Sequence, residues 1–307
     1  MIDLLGKRYY FFLFSLILIV PGLLIMAFEG LNLSIDFKGG TLLEVAFESG
    51  KLPSTAEMKS LYDGFGITDS QITTTGPDSM IIRSSVVSDE SRTQLITKME
   101  ETFKDKVTIR RFDTVGPTIS QQVTSRAILA VCMAGLAVII YITFAFRGIP
   151  HAFRYGICAI IAMIHDVLLV LSLAAIGGKF FGWQADSLFL TALLTVIGFS
   201  VQDKIVVFDR IRENSNIFRK LPFETLANHS IVQTLQRSIN TQLMTVEFLL
   251  LSLALFGGVT LREFSVILLV GLVSGTYSSI FIAAPILVVW ETKEWTTWFK
   301  RGKTAAA

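Results

Sequence analysis

"FSVQDKIVVFDRIREN" runs from Phe199 to Asn214. It continues an apolar, helix-like stretch, yet it carries Asp203 and Lys204 side by side before breaking into the charged run Asp209, Arg210, Arg212 and Glu213. Of the 307 residues, 52% belong to the hydrophobic set and only 17% are charged. With a mean hydropathy of +0.60, the chain is far too apolar for a soluble enzyme of this length. The quoted stretch is therefore the end of a membrane span, and an acid and a base inside it need a reason.

Apolar segments of about twenty residues, the length that crosses a bilayer, lie near 9–28, 127–146, 153–176, 186–208, 239–257 and 263–290. The fold class read from them is a polytopic α-helical membrane protein with six transmembrane helices. The first apolar run follows Lys7 and Arg8, but it is too long for a signal peptide and lacks a small-x-small cleavage site, so it reads as an uncleaved anchor. This divides the chain into a first transmembrane helix at 1–28, a polar domain at 29–126, a five-helix remainder at 127–290 and a tail at 291–307. The net charge of +2 and the lack of a long basic block give no reason to expect a nucleic-acid partner. Cys132 and Cys158 sit inside apolar stretches, which leaves no disulfide framework and no C-x-x-C metal or redox site.

Within the polar domain, "GGTLLEVAFE" reads as a strand and "TAEMKSLYDGF" as an amphipathic helix. "SQITTTG" and "SMIIRSSVV" are short strands around the turn Gly76-Pro77-Asp78, and "DESRTQLITKMEETF" and "KVTIRRFDTVG" supply a second helix and a last strand. The order β-α-β-β-α-β is the ferredoxin-like, α+β pattern. The domain offers no His cluster, phosphate loop or nucleophile-plus-base pair, so the reading is a non-enzyme without metal or cofactor.

Lys and Arg flanking the spans set the orientation. Lys7, Arg8, Arg147, Arg154, Arg210, Arg212, Arg219, Lys220, Arg237 and the residues around Lys300 fall on one side when six spans are threaded, against Lys179 and Arg262 on the other. Both termini are then cytoplasmic, and the polar domain is extracytoplasmic.

A carboxylate at Asp203 costs several kcal/mol in the membrane unless it has a partner, faces water or takes up a proton. Ser200, Asp203 and Val207 share a helix face, whereas Lys204 is turned about 100° away. Arg237 lies at a matching depth in the fifth span, and a guanidinium facing Asp203 gives either a proton switch or an ion pair that only holds two helices together. His165 and Asp166, mid-span in the third helix, are either relay groups or a polar pair bonded between helices. Glu247 and Lys204 are expected to compensate each other as an intramembrane ion pair. "GLVSGTYSS" places small residues at helical spacing, which favours close packing of the last span.

These residues resemble a known family. "SIDFKGGTLLEV", with Asp36, Phe37, Gly39 and Gly40, is similar to the G-x-D-F-x-G-G-T motif of the SecD/SecF family, SecF branch, and "FDTVGPTIS", with Asp113, Gly116 and Pro117, to its F-D-x-V-G-P motif. "IHD", "VQDKIVVFDRIREN" with Asp209 and Arg210, and "RSINTQLMT" follow in the family's order, so the resemblance covers about residues 5 to 290. It implies an accessory subunit of the Sec protein translocase in the cell inner membrane, with a membrane part like half of an RND transporter. The implied partners are SecD, the SecYEG translocon with YajC or YidC beside it, unfolded preproteins and protons. The family's proton-handling aspartate and interfacial arginine correspond to Asp203 and Arg237. Gln202 and Lys204 depart from the family's usual Asn and Thr, Ser or Ala around that aspartate, Ser34 replaces a glycine, and Glu247 matches no family pattern. The alternatives are a translocon subunit that only scaffolds, or a small RND-like exporter of lipid or drug.

Overall fold

A computed structural model describes residues 3–147, 152–242 and 248–294. The chain forms two compact units, one drawn from segments 1–31, 130–183 and 188–307 and the other from 32–129 and 184–187.

The smaller unit contains every element expected from the polar segment. Its order is β1 (Gly40–Phe47), α3 (Thr55–Gly64), β2 (Gln71–Thr75), β3 (Ser79–Ser84), α4 (Asp89–Phe103) and β4 (Val107–Val115), preceded by the short turns of α2 (Ile35–Lys38). The strands form one antiparallel sheet in the order β2-β3-β1-β4. Alternation along the strands aims Leu43, Val45 and Phe47 of β1 and Met80 and Ile82 of β3 at one face. Met58 and Tyr62 on α3, and Leu95 and Met99 on α4, are i, i+4 pairs that cover that face. Each such buried side chain contributes about 1.5–3 kcal/mol. Ser54 and Glu57 close α3 with a reciprocal capping box, and the Ser88 hydroxyl accepts from the Ser91 N–H at the start of α4. The register of β1 on β4 slips between Glu44 and Val45, which makes Arg110 the extra residue of a bulge and lets it reach Asp78 at 2.5 Å. The segment at 184–187 was not foreseen as part of this unit. It joins through a bridge between Leu33 and Ala185 and through Asp36, whose Oδ2 accepts the Ser187 N–H at 2.9 Å and hydroxyl at 2.7 Å.

Five helical segments are long and apolar enough to cross a membrane: Leu5–Glu29, Pro117–Ala145, Ala152–Phe181, Ser187–Ile217 and Leu261–Glu291. They contain α1 (Arg8–Glu29), α5 (Pro117–Ala145), α6 (Ala152–Phe181) and α7 (Ser187–Ile217), and a last span built from α10 (Val259–Ser278), a π-helical turn at Ser279–Ala283 and α11 (Ala284–Glu291). The helix α7 runs on through the charged stretch, past the end of the apolar span expected near residue 208. Pairs one turn apart, Asp209 with Arg212 at 2.7 Å and Arg210 with Glu213 at 2.5 Å, let those charges stay helical. The expected span at 239–257 appears differently: α8 (Phe223–Gln242) begins well before Arg237, and α9 (Phe248–Phe256) follows the undescribed residues. Buried Asn228, Ser230, Thr234 and Ser238 explain the early start, because they give α8 a polar inner face. There the Asn214 amide of α7 donates to the Ser230 hydroxyl at 2.8 Å.

Small residues bring the helices close. A Cβ on Gly22 of α1 would lie 2.3 Å from the Ser172 carbonyl oxygen of α6, and one on Gly271 would lie 2.3 Å from the Val196 side chain of α7. The close packing expected of the last span is thus present. Its π turn precedes Pro285, which has no N–H to continue the helical ladder.

Candidate functional site

Three helices meet at Asp166. It sits mid-way along α6, wholly buried, and both carboxylate oxygens are filled. Oδ1 accepts His165 Nδ1–H at 3.1 Å and the Ser274 hydroxyl at 2.7 Å. Oδ2 accepts the Ser200 hydroxyl at 2.5 Å, the Ser278 hydroxyl at 2.7 Å and the Lys204 ammonium at 2.8 Å. The helical repeat makes this possible: Ser200 and Lys204 are one turn apart on α7, and Ser274 and Ser278 one turn apart on α10. Gly275 lies between those two serines, and a Cβ there would be 3.2 Å from the Ser200 backbone, so α10 approaches α7 closely.

Lys204 is also 0% exposed. Besides Asp166, its Nζ donates to the Ser200 carbonyl at 2.9 Å and to the hydroxyls of Ser200 at 2.5 Å and Ser278 at 2.9 Å. Its expected partner Glu247 lies outside the described residues. The ammonium is taken by Asp166, a pairing that spacing along α7 alone gave no means of choosing.

Asp203 is buried beside this cluster, 5% exposed, and held far more loosely. Only its Oδ2 is bonded, by the Thr276 hydroxyl at 3.1 Å and the Gln242 amide at 3.4 Å. Among the described residues Oδ1 has no hydrogen-bond partner. The expected facing of Asp203 and Arg237 is not a direct contact here. Arg237 is exposed and lines a hollow of about 650 Å³ with Tyr141, Gly198, Gln202 and Val206. His165 stacks on Tyr277 at 6.2 Å, and its Nε2 is buried without a partner among the described residues. The donors Ser200, Ser274, Thr276, Ser278 and Gln242 escaped the sequence reading, in which the small residues of the last span signalled packing alone.

The motif residues of the smaller unit hold backbone. Gly40 has φ +129°, and a Cβ there would lie 2.4 Å from the Ser84 carbonyl oxygen of β3, so only glycine fits at the head of β1. Gly39 has φ +78°, Asp36 binds Ser187, and the Phe37 carbonyl accepts the Thr124 hydroxyl at 3.2 Å. Asp113 pairs with Arg111 at 2.5 Å. The Gly116 carbonyl accepts the N–H groups of Ile119 and Ser120 as Pro117 begins α5. No group of three or more metal-ligating side chains occurs among the described residues.

Five bilayer-length helices with ionisable groups buried between them, and a polar α+β unit, define a helical membrane protein. Comparison with known proteins narrows the class. Residues 94–293 match the family described as protein export membrane protein SecD/SecF, C-terminal, and residues 24–51 match the SecD/SecF GG motif. The chain belongs to the SecD/SecF family. It is 67% identical to the protein translocase subunit SecF of Anaerolinea thermophila over the whole of both chains, and 44% identical to that of Thermobaculum terrenum over 100% of this chain and 99% of the other. The crystal structure of SecDF, a translocon-associated membrane protein, from Thermus thermophilus matches 95% of this chain with a TM-score of 0.82 and 31% identity. This chain spans 39% of that longer SecDF chain.

Proposed function

We propose that the chain is the SecF-type subunit of a Sec protein translocase and that it acts beside a SecD-type partner to draw preproteins outward with the energy of the proton gradient. Full-length likeness to curated SecF proteins supports the subunit assignment. The two-fifths share that it takes of SecDF chains supports a SecD-like partner supplying the remainder. In this reading the membrane part has six spans, half of an RND-like unit. The sheet order β2-β3-β1-β4 supports a ferredoxin-like fold for the polar unit, which stands outside the cell membrane while both termini are cytoplasmic. SecYEG, with YajC or YidC, is the translocon it serves.

The observation that carries the proton role is the unequal treatment of two buried carboxylates. Asp166 is saturated with donors, whereas Asp203 keeps one oxygen unbonded among the described residues. A proton on Asp203 removes a charge that the membrane disfavours, loosens the bonds from Thr276 and Gln242, and so alters how α7 is held by α8 and the last span. Each charge moved across the membrane supplies about 2.3 kcal/mol per 100 mV, enough to bias a modest conformational change. Arg237 and Gln202, on the open hollow, are placed for the partner's half to cover.

The test is export of a secreted reporter in proteoliposomes holding the translocon and the co-purified SecD partner, comparing parent and Asp203→Asn with and without a proton gradient. The gradient-dependent part of export should vanish in the variant while the complex still assembles. Full gradient dependence in an assembled variant would make the cluster an ion-pair staple of a scaffolding subunit.

A further inference from the structure

We propose that Lys204 is a fixed internal counter-ion, a positioning residue that keeps Asp166 ionised and outside the proton cycle, leaving Asp203 as the one carboxylate of the three-helix cluster that exchanges protons. The inference deepens the proton reading of Asp203 and rests on it only for its consequence in export.

The hydrogen-bond directions carry it. The hydroxyls of Ser200 and Ser278 each accept from the Lys204 ammonium and donate to Asp166 Oδ2 at 2.5 and 2.7 Å; for Ser278 the other acceptor, the Gly275 carbonyl, is farther at 3.1 Å and uncharged, so the charges at both ends favour this orientation. A proton arriving at Oδ2 would need one of these donors to turn away and the ammonium to lose Asp166, its one anionic partner at hydrogen-bond distance among the described residues. At Oδ1 the His165 and Ser274 donors already occupy the oxygen. A carboxylate with five donors, one of them an ammonium, is held in its charged form. Lys204 in turn spends its donors on Asp166, Ser200 and Ser278, and joins α6, α7 and the last span at one point.

Among the described residues, the other charged or titratable groups around the pair do not replace this arrangement. From α6 comes His165, already bonded to Asp166; from α7, Asp203; from the last span, Tyr277, whose hydroxyl donates to the Phe11 carbonyl of α1 at 2.9 Å; from α8, the exposed Arg237. Removing the Lys204 charge alone leaves Asp166 as an uncompensated buried anion, and the available relief is to bind a proton. The neutral pair Asp166→Asn with Lys204→Met removes both charges together and leaves no such anion.

Infrared spectroscopy of the full chain with its SecD partner in nanodiscs, titrated with acid, reads protonated buried carboxyls, and substitutions assign them. The parent should show one such band from this chain that Asp203→Asn removes, and none that Asp166→Asn removes. Lys204→Met should add a second, sensitive to Asp166→Asn, and the double variant Asp166→Asn/Lys204→Met should return to the single band of Asp203. A band in the parent that Asp166→Asn removes, or no new band in Lys204→Met, overturns the counter-ion role. Separately, a parent without the Asp203 band refutes the proton reading of Asp203 while leaving the assignment of Lys204 standing on the Asp166 bands.

Discussion

Substituting Gly40 by alanine should open the head of the sheet, and the neighbouring glycine provides the scale. At Gly39, φ is +78° and ψ 166°, a region essentially reserved for glycine, so an alanine there costs about 1–3 kcal/mol from the backbone. Its Cβ would meet the Ser120 hydroxyl at 3.2 Å, which a rotation relieves. Gly40→Ala carries a comparable backbone cost at φ +129° and adds a collision, because its Cβ would sit 2.4 Å from the Ser84 carbonyl oxygen, 1.0 Å short of the 3.4 Å at which ordinary contact begins. That oxygen is main chain, and Ser84 is the residue paired with Thr41, so relief means parting β1 from β3. Adding about 1–3 kcal/mol for overpacking gives a total of about 2–6 kcal/mol. Hydrogen exchange by mass spectrometry on the full chain in nanodiscs reads this directly from peptides covering β1 and β3. At about 1.4 kcal/mol per tenfold, a mid-range cost of about 4 kcal/mol speeds local opening by roughly 700-fold, against roughly 30-fold for about 2 kcal/mol in Gly39→Ala. If the two variants exchange alike, the close approach at Ser84 does not dictate glycine and the reasoning fails.

Lys204→Met should destabilise the helical unit by about 3–5 kcal/mol, and adding Asp166→Asn should recover most of it; thermal unfolding of the four proteins of that cycle checks both. Gly22→Ala forces α1 away from Ser172 and should cost about 1–3 kcal/mol in the same assay, whereas Gly64→Ala, with nothing within 4 Å and no positive φ, should be neutral or stabilising. Ser54→Ala should cost about 1 kcal/mol through the lost helix cap, seen as faster exchange at the start of α3. The carboxyls of Asp78, Asp105 and Glu57 are held below their ordinary values, chiefly by the hydroxyls of Ser79, Ser49 and Ser54. Their stabilisation is therefore complete above the usual carboxylate value of about 4 and is lost as pH falls through the depressed values below it. Exchange protection of the α+β unit should stay flat from neutral pH down to that point and fall beneath it, once corrected for the intrinsic pH dependence of exchange.

Much of this protein is determined by local sequence. Hydropathy over twenty residues marks the spans because the bilayer core has a fixed thickness, and the alternation in "TLLEVAF" against the four-residue spacing of Met58 and Tyr62 separates strand from helix by geometry alone. The capping box at Ser54 has its cause within three residues, whereas Gly40 was marked in the sequence only by its motif, because the Ser84 carbonyl that requires it comes from another strand. The partner of Lys204 is not of that kind. Spacing on α7 says which way an ammonium points but leaves open which helix stands there, so the sequence reading pairs Lys204 with Glu247, which lies outside the described residues, and does not weigh Asp166. Tertiary packing supplied Asp166, by bringing α6 and the serine face of the last span against α7 through Gly271 and Gly275. The same packing separated two buried aspartates that look alike in sequence, filling one with five donors and leaving the other, among the described residues, an oxygen unbonded, because a hydrogen bond between helices depends on distances that no single helix contains.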